Sequence, residues 1–63
     1  MIKEYDVVKA TRDLSGTVLQ GCMGAVVLIY KEPTLAYEVE FVDSEGDTLD
    51  VLTAYPADIE PLS

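Results

Sequence analysis

The chain has no histidine, no tryptophan, one cysteine, and no lysine or arginine after Lys31. Each absence removes a class of function. Without histidine there is no Ser-His or Cys-His nucleophilic pair. One cysteine and no histidine give no zinc or iron site. Cys22 cannot form an internal disulfide, and a solitary thiol fits a reducing compartment. No cation is near Cys22 in sequence to lower its pKa, so it reads as a half-buried turn residue and not a nucleophile. The longest apolar run, Ala25 to Tyr30, is far short of the ~20 residues that span a bilayer. The start carries Lys3, Glu4 and Asp6 where a secretory signal would need an apolar stretch. The expectation is a cytoplasmic protein that is not an enzyme and binds no cofactor or metal.

What is present suffices for a folded domain. Hydrophobic residues are 49% of 63, which argues against disorder and for one small core. Residues 1–63 therefore read as a single domain. The net charge of −8 is unevenly spread. Residues 1–31 carry Lys3, Lys9, Arg12 and Lys31 against Glu4, Asp6 and Asp13, a net of +1. Residues 32–63 carry nine acids and no base. That balance disfavours direct binding of nucleic acid, which needs cations for its phosphates. It favours a basic protein surface as partner.

The apolar pattern has period two. Tyr5–Ala10 reads as a first strand and Asp13–Gly16 as a loop. Gly21 and Gly24 bracket Cys22 and Met23 in a turn or bulge that needs positive φ. Gly24–Lys31 reads as a second strand, and Leu35–Val42 as a third, in which Tyr37, Val39 and Phe41 alternate with Glu38 and Glu40. Asp43–Asp47 is a turn, Thr48–Thr53 a fourth strand, and Pro56–Asp58 a short helical turn. Ile59–Leu62 closes the fold, with Pro61 confining it to a sheet edge. Five short strands with a turn before the last predict an all-β, five-stranded, SH3-like barrel with a 3-10 turn before its final strand. The expected core is Val7, Val18, Val27, Ile29, Tyr37, Val39, Phe41, Leu49, Val51 and Ile59.

Four segments, in order, resemble a known family. They are Ile2-Lys3-Glu4-Tyr5-Asp6-Val7-Val8, Gly21-Cys22-Met23-Gly24-Ala25-Val26-Val27, Tyr37-Glu38-Val39-Glu40-Phe41 and Asp58-Ile59-Glu60-Pro61-Leu62. Together they are similar to the short bacterial proteins of domain of unknown function 4926 (DUF4926), over nearly the whole chain. The resemblance implies an SH3-like barrel, related in fold to the nitrile hydratase β-subunit barrel and to KOW modules. It brings no activity. Members resemble the small partner in two-gene arrangements, which implies an antitoxin or immunity-type role. The chain departs from the family's pattern at Cys22-Met23, where a more polar turn is expected.

Two surfaces stand out as binding candidates. The first is acidic. A hairpin through Gly46 would set Glu38, Glu40 and Asp50 on one outer face, with Asp43, Glu45 and Asp47 at its tip. Like charges on neighbouring strands each oppose folding by a few tenths of a kcal/mol, so folding does not require the cluster. The sequence Asp43-Ser44-Glu45-Gly46-Asp47 loosely resembles a calcium loop but lacks the length and closing glutamate of an EF-hand, and reads as a solvated turn. The second surface is apolar. If Ala25, Val27 and Ile29 face the core, then Val26, Leu28 and Tyr30 point outward and must be covered. Loop 10–20, with Leu14, Val18 and Leu19, is the expected cover. The alternatives are a partner or a second copy in a homodimer, with Cys22 and Met23 in the same contact.

The expected function is a small acidic protein-binding module, an antitoxin, immunity protein or inhibitor. It would occlude a basic surface on a toxin, a nuclease or a nucleic-acid-binding effector, without direct contact to nucleic acid or membrane. The alternatives are a phage-type inhibitor that mimics nucleic acid, and a structural or maturation subunit of a larger enzyme.

Overall fold

A computed structural model describes residues 2–62; Met1 and Ser63, which the span 1–63 includes, lie outside them. The strands are β1 (Val7–Ala10), β2 (Met23–Tyr30), β3 (Ala36–Val42), β4 (Thr48–Ala54) and β5 (Ile59–Pro61). A 3-10 turn at Pro56–Asp58 separates β4 from β5. All form one antiparallel sheet in the order β4-β3-β2-β1-β5. This is the five-stranded barrel-like arrangement expected from the period-two pattern, with the 3-10 turn in its expected place. Pro61 lies on β5, at the sheet edge, where its missing N–H interrupts no ladder.

Strand β3 keeps its alternation from Tyr37 to Val42, with Ala36 at its start also buried. Tyr37, Val39 and Phe41 are buried and Glu38 and Glu40 face out. Strand β2 does not. Val26 pairs with Val39 and Leu28 with Glu38, so Val27 is an extra residue without a partner on β3. A bulge of this kind reverses the phase of every side chain beyond it. Gly24 and Val26 therefore face inward before the bulge, and Ile29 after it. The expected inward set of Ala25, Val27 and Ile29 is corrected to Val26 and Ile29. Val26 is fully buried in the core and is not an outer-face residue.

Strand β4 carries a second irregularity. Phe41 pairs with Asp50 and Val42 with Thr48, leaving Leu49 as the extra residue. Leu52 and Ala54 turn inward, while Leu49 and Val51, expected in the core, are exposed. Strand β1 starts at Val7 and not at Tyr5, because Lys3–Asp6 closes a turn: the Asp6 N–H donates to the Lys3 carbonyl at 3.1 Å. Val8 and Ala10 consequently enter the core and Val7 faces out. The observed core is Val8, Ala10, Val18, Val26, Tyr37, Val39, Phe41, Ala54 and Ile59, with Ile2, Leu14, Cys22, Ile29 and Leu52 packed against it.

The two glycines of the Gly21–Gly24 segment have different reasons. Gly21 has φ +89°, a turn conformation that suits glycine. Gly24 is buried and does not have positive φ. A Cβ there would lie 2.8 Å from the Glu40 carbonyl oxygen and 2.8 Å from Val39 Cγ1. Its role is the close approach of β2 to β3, not a turn.

Loop 10–20 packs into the barrel and does not lie over the outer face. Val18 is fully buried and Leu14 touches the core, while Leu19 is exposed. Ser15 Oγ accepts the N–H of Thr17 and of Val18, shaping the tip. The loop is tied down through Arg12. Its Nε and Nη2 donate to Asp58 Oδ1 at 3.0 and 2.7 Å. The N–H of Tyr55 donates to Asp58 Oδ2 at 3.0 Å. That backbone hydrogen bond, with the neighbouring guanidinium, holds the Asp58 carboxyl below its ordinary range despite opposing desolvation. The pair joins the long loop to the 3-10 turn before β5.

Candidate functional site: the outer face of the sheet

The ladder decides what shares the outer face. Val7 pairs with Ala25, Ala25 with Glu40, and Glu40 with Val51, which makes one row across four strands. A second row runs Leu28, Glu38, Thr53, and a third runs Lys9, Met23, Val42, Thr48. Glu38 and Glu40 thus sit among apolar side chains, while a third carboxylate, Glu60, extends the Lys9 row at the edge and pairs with Lys9. Val7, Met23, Leu28, Tyr30 and Val51 are each between 40% and 48% exposed. Leu28 and Tyr30, expected to be covered, are open on this face.

Glu38 and Glu40 are half-buried and held in place. Thr53 Oγ1 donates to Glu38 Oε1 at 2.8 Å, and Thr48 Oγ1 donates to Glu40 Oε2 at 2.6 Å. Each acid is oriented by a hydroxyl from β4, a neutral donor that brings no opposing charge. Among the described residues neither forms an ion pair; Lys9 pairs with Glu60 and Arg12 with Asp58.

Asp50 does not join them. Its partner Phe41 is an inward residue, so Asp50 lies on the opposite face from Glu38 and Glu40. It is half-buried, and its Oδ1 accepts the N–H of Val51. The expected trio on one face is corrected to a pair. The cause is the extra residue Leu49, which shifts the register of β4 against β3.

At the hairpin tip, Asp43, Glu45 and Asp47 can each bring one carboxylate oxygen within 4.8 Å of the others. The turn itself accounts for Asp43. Its Oδ1 accepts the N–H of Glu45 at 2.9 Å and of Asp47 at 3.0 Å, and Gly46 supplies φ +87°. This is the chemistry of an Asx turn. The cluster concentrates charge at one end of the molecule.

Cys22 is half-buried beside this hairpin, with Sγ 3.5 Å from the Val42 carbonyl oxygen. Burial pushes its thiol pKa up, and the Asp43 charge adds to the effect. Both favour the protonated form, the wrong direction for a nucleophile. Of the apolar contact set read from sequence, Met23, Leu28 and Tyr30 lie open on the outer face, Cys22 is partly covered, and Val26 belongs to the core. Val7 and Val51 are additions that sequence reading had assigned to the interior. Runs such as Val7-Val8 and Val51-Leu52 offer two apolar candidates for one inward position.

No helix is long and apolar enough to cross a membrane among the described residues. No curated protein and no solved structure matches the chain. The family model described as a domain of unknown function, DUF4926, matches residues 4–61, and the chain therefore belongs to that family.

Proposed function

We propose that this protein is a small acidic protein-binding module of the antitoxin, immunity or inhibitor type. It covers a basic surface of a cytoplasmic partner protein and performs no catalysis itself. The observation that carries the reading is the outer face: Glu38 and Glu40, oriented by hydroxyls and without a cationic partner, stand among exposed Val7, Met23, Leu28 and Val51. Apolar contacts of this kind supply affinity, and oriented carboxylates supply charge selection and a fast approach to a cationic surface. A second copy of the chain is a poor occupant, because a face-to-face pair would oppose these acids across the contact. The same apolar content argues against mimicry of nucleic acid, which calls for a face dominated by charge. Direct nucleic-acid binding is also disfavoured, since Lys9 and Arg12 are engaged in ion pairs.

The test is kinetic. The partner is captured from the native cell, identified, purified, and its association measured against the chain and a Glu38→Gln/Glu40→Gln variant. Association slower by about tenfold at low salt, with a flatter salt dependence, supports the reading. Equal rates with both proteins would reduce the carboxylates to a solubility device.

A further inference from the structure

At the end of the barrel opposite the acidic turn, the N-terminal segment and the ends of β2 and β3 enclose an open groove of about 810 Å³. Its lining combines the apolar Ile2, Ile29, Leu35 and Tyr37 with the exposed Lys3 and Lys31. The chain has four cations in all. Lys9 and Arg12 are ion-paired, while Lys3 and Lys31 enter no ion pair among the described residues. A protein of net charge −8 thus brings its two uncommitted cations to the edge of one apolar groove. Glu4 is the acid in the lining and leaves it net positive. The groove is about 20 Å from the Asp43–Asp47 turn, since it lies where Ala36 opens β3 and Val42 ends that strand six residues on.

Tyr5 supplies an independent observation at the same place. It has φ +70°, the left-handed region that side chains other than glycine seldom adopt. Its N–H is held by the Val26 carbonyl at 2.6 Å. Yet the residue is 75% exposed, so the interior gains little from it. Glycine or asparagine would satisfy this backbone with less strain. A strained backbone that presents an open aromatic ring beside a groove is an arrangement found at binding sites.

We infer that this groove docks a short extended segment of a partner protein in which acidic residues flank a large aliphatic side chain. The aliphatic group would lie on Ile29, Leu35 and Tyr37, its carboxylates would meet Lys3 and Lys31, and Tyr5 would close over the backbone. This surface is separate from the Glu38–Glu40 face and selects the opposite charge, so each reading stands or fails alone.

The probe is a blocked hexapeptide of two leucines with two acidic residues on each side, titrated into the ¹⁵N-labelled chain. Its amide twin, with Asn and Gln for Asp and Glu, is the control. Saturable shifts at Lys3–Tyr5, Ile29, Lys31 and Leu35 are expected, at least fivefold weaker with the twin and in a Lys3→Gln/Lys31→Gln variant. Both lysines are exposed, and the variant's own spectrum reports whether its fold is kept. Tyr5→Gly is expected to weaken peptide binding without lowering the unfolding temperature, which a merely structural tyrosine would not do. No shifts in the groove, or equal shifts from the neutral twin, would overturn the proposal. So would concentration-dependent shifts in the groove and at Asp43–Asp50 without peptide, because they would assign the groove to a second copy of the chain.

Discussion

The two faces of the sheet are built from similar residues and are governed by different constraints. On the inner face Gly24, Val26, Val39 and Phe41 meet so closely that one added carbon on Gly24 has no room. On the outer face Val7, Met23, Leu28 and Val51 carry comparable side chains but leave about half of each in solvent. The interior is packed at the density of a solid, and its stability depends on shape. The outer face, half in solvent, is not held to one shape by close packing. The most direct comparison is Val7 with Val8, adjacent in sequence and 48% and 0% exposed.

The inner face should break most readily at Gly24. Gly24→Val forces a branched side chain against the β3 backbone and is expected to cost about 3 kcal/mol, the upper range for overpacking. For so small a domain each kcal/mol lowers the melting temperature by roughly 4–8 °C, so thermal unfolding checks it. Retention of the wild-type melting temperature would mean that β2 and β3 are further apart than described.

The paired valines give the next largest contrast. Val8→Ala leaves a cavity in the core and should cost about 2 kcal/mol in urea unfolding. Val7→Ala should stay within about 0.5 kcal/mol, as exposed positions do. Equal losses would show that the register of β1 is wrong by one residue.

Asp58 tests the link between the loop and β5. Asp58→Ala removes the charged acceptor of the Tyr55 N–H and of Arg12, at an expected cost of about 1.5 kcal/mol. Arg12 is largely exposed, so solvent screening leaves its share small. The folded-state pKa of Asp58 is lowered. Its contribution is therefore present above the unfolded value of about 3.9, and is lost as pH falls through the folded value. Between pH 5 and pH 2 (roughly, from those pKa ranges) the wild type should lose more stability than the Ala variant. Parallel pH profiles would remove this group from the acid sensitivity.

The smallest effect on folding is expected on the outer face. Glu38→Gln/Glu40→Gln keeps an acceptor for Thr53 and Thr48 and relieves repulsion, so stability should change by less than about 0.5 kcal/mol. Under the proposed function, the same variant is expected to slow partner association by about tenfold at low salt. A loss of stability above 1 kcal/mol (about the value of one hydrogen bond) would make the acids structural, and would remove the contrast between the faces.

The strands of this chain were legible where polarity alternated. In β3 the glutamates between Tyr37, Val39 and Phe41 leave only one phase compatible with burial, and the structure keeps that phase, with the strand starting at Ala36 instead of Leu35. The Gly46 turn and the Pro56–Asp58 turn were equally readable, since their backbone chemistry is local. The candidate site was legible in part for the same reason: Glu38 and Glu40 were placed correctly because β3 was.

What the sequence by itself determined is thus the all-β class, the strand count, the turns at Gly46 and Pro56–Asp58 and the outward placement of the two glutamates. Each follows from interactions between residues near one another in the chain. Which apolar residue enters the core at Val7-Val8, Val26-Val27 and Val51-Leu52 was decided only by tertiary structure. Both members of each pair are equally hydrophobic, so the hydrophobic effect alone does not choose between them. The choice fell to the unpaired Val27 and Leu49, to the turn at Lys3–Asp6, and to the room that Gly24 leaves for β3. The meeting of Lys3, Tyr5, Lys31 and Leu35 around one groove is of the same kind. It exists only because the sheet folds the N-terminal segment back against the far ends of β2 and β3.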